Sequence, residues 1–315
     1  VLNLSKWLIR QGFKCQVLLL KDYGPHPLKD QLNDAKIPWQ ALHSIAHLHR
    51  ILTNTPCLLA THGYKAGIVG RAVAKFNNLA VVSTYHSGDR GQGKLRCYNL
   101  LDELSARLAN SVISVSAEIA ARLPVSSSQI PNFVELPPFT LNKGKQIAFV
   151  GRISHEKGPD TFAQICQPYS AQTPVAVYGE GPMLKSLQST YPAIHWHGRV
   201  DMTQHWQDIG LLCISSRFEG LPLVALEAMA RGIPVISFAL GDIPKVIEHK
   251  RNGWLIKPGN KAQFSRAIKD WLNLNLAAKQ SLSQKAYRRI QAAFSSDIVV
   301  PQILPAYCKA LLQHR

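Results

Sequence analysis

Short apolar runs alternate with amphipathic stretches from one end of the chain to the other. In the first half KCQVLLL, CLLAT, LAVVSTY and SVISVS are apolar runs of strand length. Such runs, rich in Val, Ile and Leu, predict parallel strands buried on both faces. Between them YKAGIVGRAVAKF and GKLRCYNLLDELSARLAN space their apolar positions as helices do. The second half repeats the alternation, with IAFVG, VAVYG, IHWHG, LLCIS, PVIS and WLIKP as strands. After residue 261 the pattern turns helical, through DWLNLNLAAKQSLSQKAYRRIQAAF and VPQILPAYCKALLQ. Strand and helix alternating in this way predict doubly wound α/β domains. Residues 131–144 (PNFVELPPFTLNKG) break the alternation with three prolines and a glycine, which places a domain boundary there.

The segment RFEGLPLVALEAMARG, residues 217–232, carries the most chemistry. Pro222 reads as the first residue of a helix that Arg231 and Gly232 close. Leu223, Leu226 and Met229 would form its buried stripe, and its free N-terminal N–H groups suit a diphosphate. Glu219 lies in the loop before this helix and Glu227 within it. Taken alone, two such glutamates would be a solvated loop residue and a locally paired helix residue. The apolar runs IGLLCISS before and IPVIS after change that reading, because they set a functional loop and a packed helix between two buried strands.

Other positions follow strand ends, where open α/β sheets bind ligands. Arg152 and Lys157 come directly after IAFVG. Two cations there could neutralise a diphosphate and stabilise developing negative charge; the structural alternative is a surface arginine and a lysine before a helix. Gly179 and Gly181 flank a turn after VAVYG, and their missing side chains would let a base or ribose approach the backbone. Arg199 and Val200 follow the strand IHWHG. In the first half His86 ends LAVVSTYH and His62 ends CLLAT, ahead of a helix 63–76 that His62 and Lys65 open.

Composition narrows the partners. Thirty-six Lys and Arg against nineteen Asp and Glu leave a formal charge of +17, which favours an acidic partner such as a phosphorylated glycolipid or an anionic membrane surface. Residues 1–135 hold 15 basic and 8 acidic side chains and the remainder 21 and 11, so the excess is diffuse. A nucleic-acid partner would call for a basic stripe interleaved with aromatics, and none is expected here. No apolar run reaches the roughly 18 to 20 residues of a membrane span, and no signal peptide is visible. The expected location is cytoplasmic, with peripheral attachment to the inner face of the cell membrane compatible with the charge. The six cysteines are scattered singly and read as reduced core residues.

The E-x7-E segment, together with FVGRISHEKGPD (149–160), VYGEGPM (177–183), HWHGRVD (195–201) and GDIPKVIEHKRNGWLIKPGN (241–260), resembles the family 4 glycosyltransferases. These are retaining enzymes of the GT-B fold, two Rossmann-like domains facing a cleft. The resemblance covers essentially all of residues 145–260 and is looser before them. It implies an acceptor domain over residues 1–134, joined by a last helix that crosses back (298–315), and a nucleotide-sugar domain over 140–297. It implies that Glu227 accepts hydrogen bonds from the donor ribose, that Glu219 with the backbone of Gly220 and Leu221 holds the sugar and its phosphate, and that the backbone of Arg199 and Val200 lies near the base. His86 takes the place of a histidine directed at the transferred sugar. The implied donor is a UDP- or GDP-linked sugar, the acceptor a glycan or glycolipid, and no metal cofactor is required; no Asp-x-Asp occurs.

Two departures from the family pattern stand out. Residues 1–12 already read as the first helix, so the opening strand and its glycine-rich loop are missing, which points to a partial chain and would leave backbone groups unpaired. Phe133 replaces the usual glycine of a P-N-G-V-D turn beside Asn132. The reading reached is a retaining glycosyltransferase of cell-surface polysaccharide or lipopolysaccharide assembly. A sugar-nucleotide epimerase or phosphorylase on the same fold, and a non-catalytic glycan-binding scaffold, stay open at this point.

Overall fold

A computed structural model of the chain describes residues 1–22, 24, 26–86 and 93–314. The chain divides into two compact units, Val1–Phe133 with Ser296–Arg315, and Val134–Ser295. The first unit contains helices α1 (Leu2–Arg10), α2 (Pro27–Asp34), α3 (Ile45–Thr53), α4 (Tyr64–Phe76), α5 (Lys94–Leu104) and α6 (Ala117–Arg122). Its strands are β1 (Val17–Leu19), β2 (Trp39–Ala41), β3 (Leu59–His62), β4 (Val81–Tyr85), β5 (Ser111–Ser114) and β6 (Ser128–Gln129). The second unit runs β7 (Gln146–Val150), α7 (Pro159–Cys166), β8 (Val175–Tyr178), α8 (Leu184–Thr190), β9 (His195–Gly198), β10 (Ile209–Ile214), α9 (Leu223–Met229), β11 (Val235–Phe238), β12 (Gly253–Ile256), α10 (Lys261–Leu272) and α11 (Leu276–Ala293). The last helix, α12 (Ser296–Leu312), returns to the first unit.

Every strand pair in the molecule's described sheets is parallel. In the second unit the six strands lie in the order β12-β11-β10-β7-β8-β9. The chain therefore builds outward from β7 on one side, then returns to β10 beside it and builds outward on the other. Alternate side chains go to opposite faces. Ile147, Phe149, Val175, Val177, Leu211 and Cys213 meet α7 and α10 through Phe162, Phe264 and Ile268. Ala148, Ala176, Leu212, Ile214 and Val235 meet α9 and α11 through Leu226, Met229 and Ile290. Both faces are dry, which is why these strands read as unbroken apolar runs.

The first unit differs, because its strands fall into two sheets, β1-β2 and β3-β4-β5-β6. Leu18 of β1 and Leu59 of β3 share one apolar cluster with Leu48, Leu52 and Val73, yet no backbone ladder joins the sheets among the described residues. On the opposite side α1 and α12 pack together over β4 and β5, with Leu4 and Trp7 against Val299, Val300 and Ile303. The Trp7 indole donates to Asp297 Oδ1 at 2.9 Å. Phe133 packs against this cluster and has no left-handed backbone angle, so the glycine it replaces is not needed here for conformational reasons. One expectation needs correction. The cysteines are all free, but only Cys166 and Cys213 are core residues; Cys97 and Cys308 are exposed. No helix among the described residues is long and apolar enough to cross a membrane.

One charged pair is embedded in the first unit. Arg71 of α4 is 1% exposed. Its guanidinium donates to Asp102 Oδ1 at 2.6 Å, the Asp102 carbonyl at 3.0 Å, Ser105 Oγ at 2.7 Å and Ser83 Oγ at 3.0 Å. Tyr85 also donates to the Asp102 carbonyl, at 2.8 Å. Burial pushes the Asp102 carboxyl up and the guanidinium pulls it back. Gly67 is required one turn earlier, since a Cβ there would stand 2.4 Å from Asp102 Oδ1. Arg71→Met keeps the volume and removes the cation, leaving a buried carboxylate without a partner. The expected loss is about 3–5 kcal/mol of stability, read from urea or thermal unfolding; an unchanged midpoint would show that the pair does not hold α4 to α5.

Candidate functional site

The strand order of the second unit reverses between β7 and β10, and ligands of open α/β sheets bind at the carboxyl ends of the strands flanking such a reversal. The loops after these two strands are laced together by backbone. Arg217 N donates to the Glu156 carbonyl at 2.8 Å, and Ser215 Oγ donates to the Gly158 carbonyl at 2.7 Å. Gly158 has φ 65°, and a Cβ on it would lie 2.2 Å from the Ser215 carbonyl, so only glycine allows this approach. Arg217 closes the arrangement with a bidentate pair to Asp160 at 2.9 and 2.6 Å and a bond to the His155 carbonyl at 2.6 Å. That guanidinium holds the Asp160 carboxyl below its ordinary pKa.

The lacing brings Lys157 to Glu219. Lys157 Nζ lies 2.8 Å from Glu219 Oε1, and Ser216 Oγ donates to the same oxygen at 2.7 Å. The Glu219 side chain is only 6% exposed, while Lys157 retains 34%. A second loop supports this one from behind. Asp242 N donates to the Gly220 carbonyl at 2.9 Å, and Gly241, at φ 49°, has no room for a Cβ against the Glu219 carbonyl 2.3 Å away. Open space surrounds the missing side chain of Gly220, and Leu221 is buried.

Arg152 stands on the same loop as Lys157 but is free to reach outward. Its side chain is 70% exposed and approaches Glu156 Oε1 at 3.9 Å. Glu227 is the opposite case. It sits half-buried in α9 between buried Ala225, Leu226, Ala228 and Met229. Desolvation raises its carboxyl pKa, with Arg231 partly opposing. Arg231 bonds instead to the Glu227 carbonyl, at 2.8 Å, and stacks its guanidinium over the Trp206 ring at 5.2 Å. Among the described residues no hydrogen-bond donor reaches the Glu227 carboxylate.

Several expected details change. Pro222 is the cap before α9 rather than its first residue, with φ −70° and ψ 128°. Leu223 is 48% exposed and leaves the buried stripe to Ala225, Leu226, Ala228 and Met229. Gly179 and Gly181 are needed, but for the protein's own backbone: Cβ atoms there would lie 1.9 Å from the Gly151 carbonyl and 2.2 Å from that of Ile153. They let the loop after β8 press on the loop that carries Arg152. Arg199 is exposed and Val200 packs against the α9 side of the core. The residues that sequence reasoning passed over are Ser215, Ser216, Arg217 and Asp160, whose signal was only two small serines and an arginine beside the acidic loop.

In the first unit His62 and His86 form a separate cluster at the ends of β3 and β4. His62 Nδ1 and His86 Nε2 are 2.9 Å apart, and His86 Nδ1 lies 3.2 Å from Asn132 Oδ1. Their rings stack at 5.2 Å. Desolvation lowers both imidazole pKa values; His86 lowers His62 further, whereas the Asn132 bond raises His86. Lys65 opens α4 nearby, over the ring of Tyr98 at 5.8 Å.

Known proteins place this geometry in a family. Among solved structures, HepE of Anabaena in complex with UDP and glucose superposes with a TM-score of 0.82 at 17% identity, covering 98% of this chain and 94% of that one; a likeness at that identity shows the fold, GT-B. A UDP-Gal:alpha-D-GlcNAc-diphosphoundecaprenol alpha-1,3-galactosyltransferase of Escherichia coli is 25% identical over 307 residues, 80% of this chain and 78% of its own. An uncharacterized glycosyltransferase of Haemophilus influenzae is 26% identical over 161 residues, 46% of each chain. The chain spans less than half the length of the first curated relatives it matches. Residues 144–273 match the family model described as Glycosyl transferases group 1, and residues 1–135 match that described as Glycosyltransferase Family 4. With a family model matching on each side of the unit boundary, the chain belongs to the family 4 glycosyltransferases.

Proposed function

We propose that the chain moves a sugar from a nucleoside diphosphate to a hydroxyl of a glycan or glycolipid, with retention at the anomeric carbon, in cell-surface polysaccharide or lipopolysaccharide assembly at the inner face of the cell membrane. The observation that carries this reading is the pairing of a satisfied acid, Glu219, with an unsatisfied one, Glu227, around the strand-order reversal. Glu219 has its charge met by Lys157 and Ser216, so it fixes the loop on which a sugar and phosphate would rest. Glu227 is a half-buried carboxylate without a donor, and two ribose hydroxyls would supply donors. The UDP held by HepE supports a uridine donor over a guanosine one.

Arg152 and Lys157 then neutralise the diphosphate as it leaves. The acceptor oxygen attacks the anomeric carbon on the face from which the phosphate departs. The carbon–phosphate-oxygen bond breaks, and the acceptor's proton passes to the departing phosphate oxygen. No protein nucleophile enters this scheme, and the two glutamates are not an acid and base pair of the hydrolase kind. The part given to His86, contact with the transferred sugar, rests on the family resemblance.

Donor binding and transfer separate under mutation. Glu227→Ala is expected to weaken UDP binding about 10- to 100-fold, the scale of bonds to a charged acceptor, with a smaller effect on kcat. Arg152→Ala and Lys157→Ala are expected to lower kcat about 100-fold with a smaller effect on donor affinity. Lys157→Ala should also lower the melting temperature, since it strips the buried Glu219 carboxylate of its cation, whereas exposed Arg152 should not. Identical kinetics in all three variants would contradict this division. Calorimetry with UDP and GDP tests the reading at its root: binding of neither would favour a glycan-binding scaffold.

The raised Glu227 carboxyl adds a pH test. Hydroxyl donors favour the ionised form, so bound donor pulls the pKa back down. Below the raised pKa the free protein must release a proton to bind, and affinity should fall as pH falls through it. Calorimetry in buffers of different ionisation enthalpy should show proton release on UDP binding, and Glu227→Gln should abolish it.

A further inference from the structure

Helix α5 is amphipathic the wrong way round. The positions it turns inward are Asp102, which is buried against Arg71, and Ala106, which its 3-10 extension Ser105–Leu108 packs against Tyr85, Val112 and Ile119. The large apolar residues face out instead. Leu100 is 55% exposed, Leu101 53%, Leu104 51% and Leu108 42%, with Tyr98 at 43% on the flank. Among the described residues none of these five side chains enters a hydrophobic cluster. Four leucines left about half exposed on consecutive turns form an apolar crest, and a patch of this kind marks an interaction surface.

The charges around the patch identify the partner. The two acids of the helix are neutralised toward the protein: Asp102 by Arg71, and Glu103 by Arg122, whose Nε lies 3.0 Å from the Glu103 carboxylate. The cations point away from it. Arg96 and Arg107 are exposed beside the leucines, and Lys65 is exposed over the Tyr98 ring. An apolar crest with arginine and lysine at its margins, on a chain of formal charge +17, fits an anionic lipid surface. We infer that α5 is a membrane-docking helix: Leu100, Leu101, Leu104 and Leu108 enter the boundary between headgroups and acyl chains, while Arg96, Arg107 and Lys65 meet lipid phosphates. The inference deepens the membrane location proposed above and identifies the surface that provides it.

The full chain is tested by co-sedimentation with vesicles of phosphatidylcholine alone and of phosphatidylcholine with about 30% phosphatidylglycerol, at low and high salt. The expected result is binding to the anionic vesicles that salt weakens. Leu101→Gln with Leu104→Gln should reduce partitioning on the order of tenfold or more. Arg96→Gln with Arg107→Gln should weaken it on anionic vesicles and lessen its salt dependence. All four positions are exposed, and an unchanged thermal midpoint will show that the variants fold. The inference is overturned if the wild-type chain ignores anionic vesicles, if the leucine variant binds as the wild type does, or if sedimentation equilibrium shows a dimer that the leucine substitutions abolish, which would assign the face to a second copy. UDP calorimetry on the same preparations separates the two proposals: vesicle binding lost with UDP binding intact removes the docking surface and leaves the transferase reading standing.

Discussion

The chemistry of the second unit depends on two loops being held against each other at the point where the strand order turns back. Parallel strands need long crossovers, so β7 and β10 are neighbours in space although more than fifty residues part them. Their loops could diverge; instead the Arg217 N–H and the Ser215 hydroxyl bond to carbonyls of the facing loop, and a glycine at 158 with no side chain in the way lets them draw together. Once that is done, a lysine from one loop and a glutamate from the other meet at 2.8 Å. The pair alone could not enforce the arrangement. A partly exposed ion pair is worth little, and a carboxylate as enclosed as Glu219 is costly without a cation. The backbone lacing makes the pair possible, and the pair then penalises any opening of the loops.

From this constraint the two glutamates acquire opposite characters. Both lie on the same short segment, eight positions apart. Glu219 has a cation and a hydroxyl on its Oε1. Glu227 has been placed on a helix whose other buried positions are alanine, leucine and methionine, and its nearest cation is turned to the backbone and to Trp206. Desolvation raises its carboxyl pKa, with Arg231 partly opposing. One carboxylate ties two loops together and the other is left without a donor among the described residues, a division set by what surrounds each and invisible in residue type.

How much of this could be read beforehand follows the same line. Apolar runs located five strands of the six-stranded sheet because strands buried on both faces carry few polar residues to confuse the period; the edge strand β9, with exposed His195 and His197, was legible only from its place in the alternation. The helix YKAGIVGRAVAKF was legible to its ends for the opposite reason, a clear apolar face, and α4 occupies those residues. The strands β2 and β6 were not legible: at three and two residues, half-buried or exposed, they carry no pattern. Positions carrying side-chain chemistry after strand ends were also legible, since topology dictates where ligands go. The reason for a glycine was not. Gly179 and Gly181 invited a reading in terms of ligand approach, whereas the space is filled by carbonyls of residues 151 and 153, a contact between segments that no local pattern encodes. Leu223 failed likewise, because the helical stripe is two alanines wide on the side that the sheet covers.

The first unit applies the same physics to a different end. A helix in a globular protein is ordinarily fastened by the leucines it buries, which leaves its outer face polar. In α5 the fastening is the Arg71–Asp102 pair, with Ser83, Ser105 and Tyr85 completing its hydrogen bonds. A buried ion pair so extensively hydrogen-bonded replaces the apolar anchor without requiring a leucine beneath it. The large apolar residues of the helix are then not used for fastening, and they lie on its outer face. The helical period of GKLRCYNLLDELSARLAN is legible in the sequence, but its stripe points outward, and only the position of the arginine on a neighbouring helix decides which side is in.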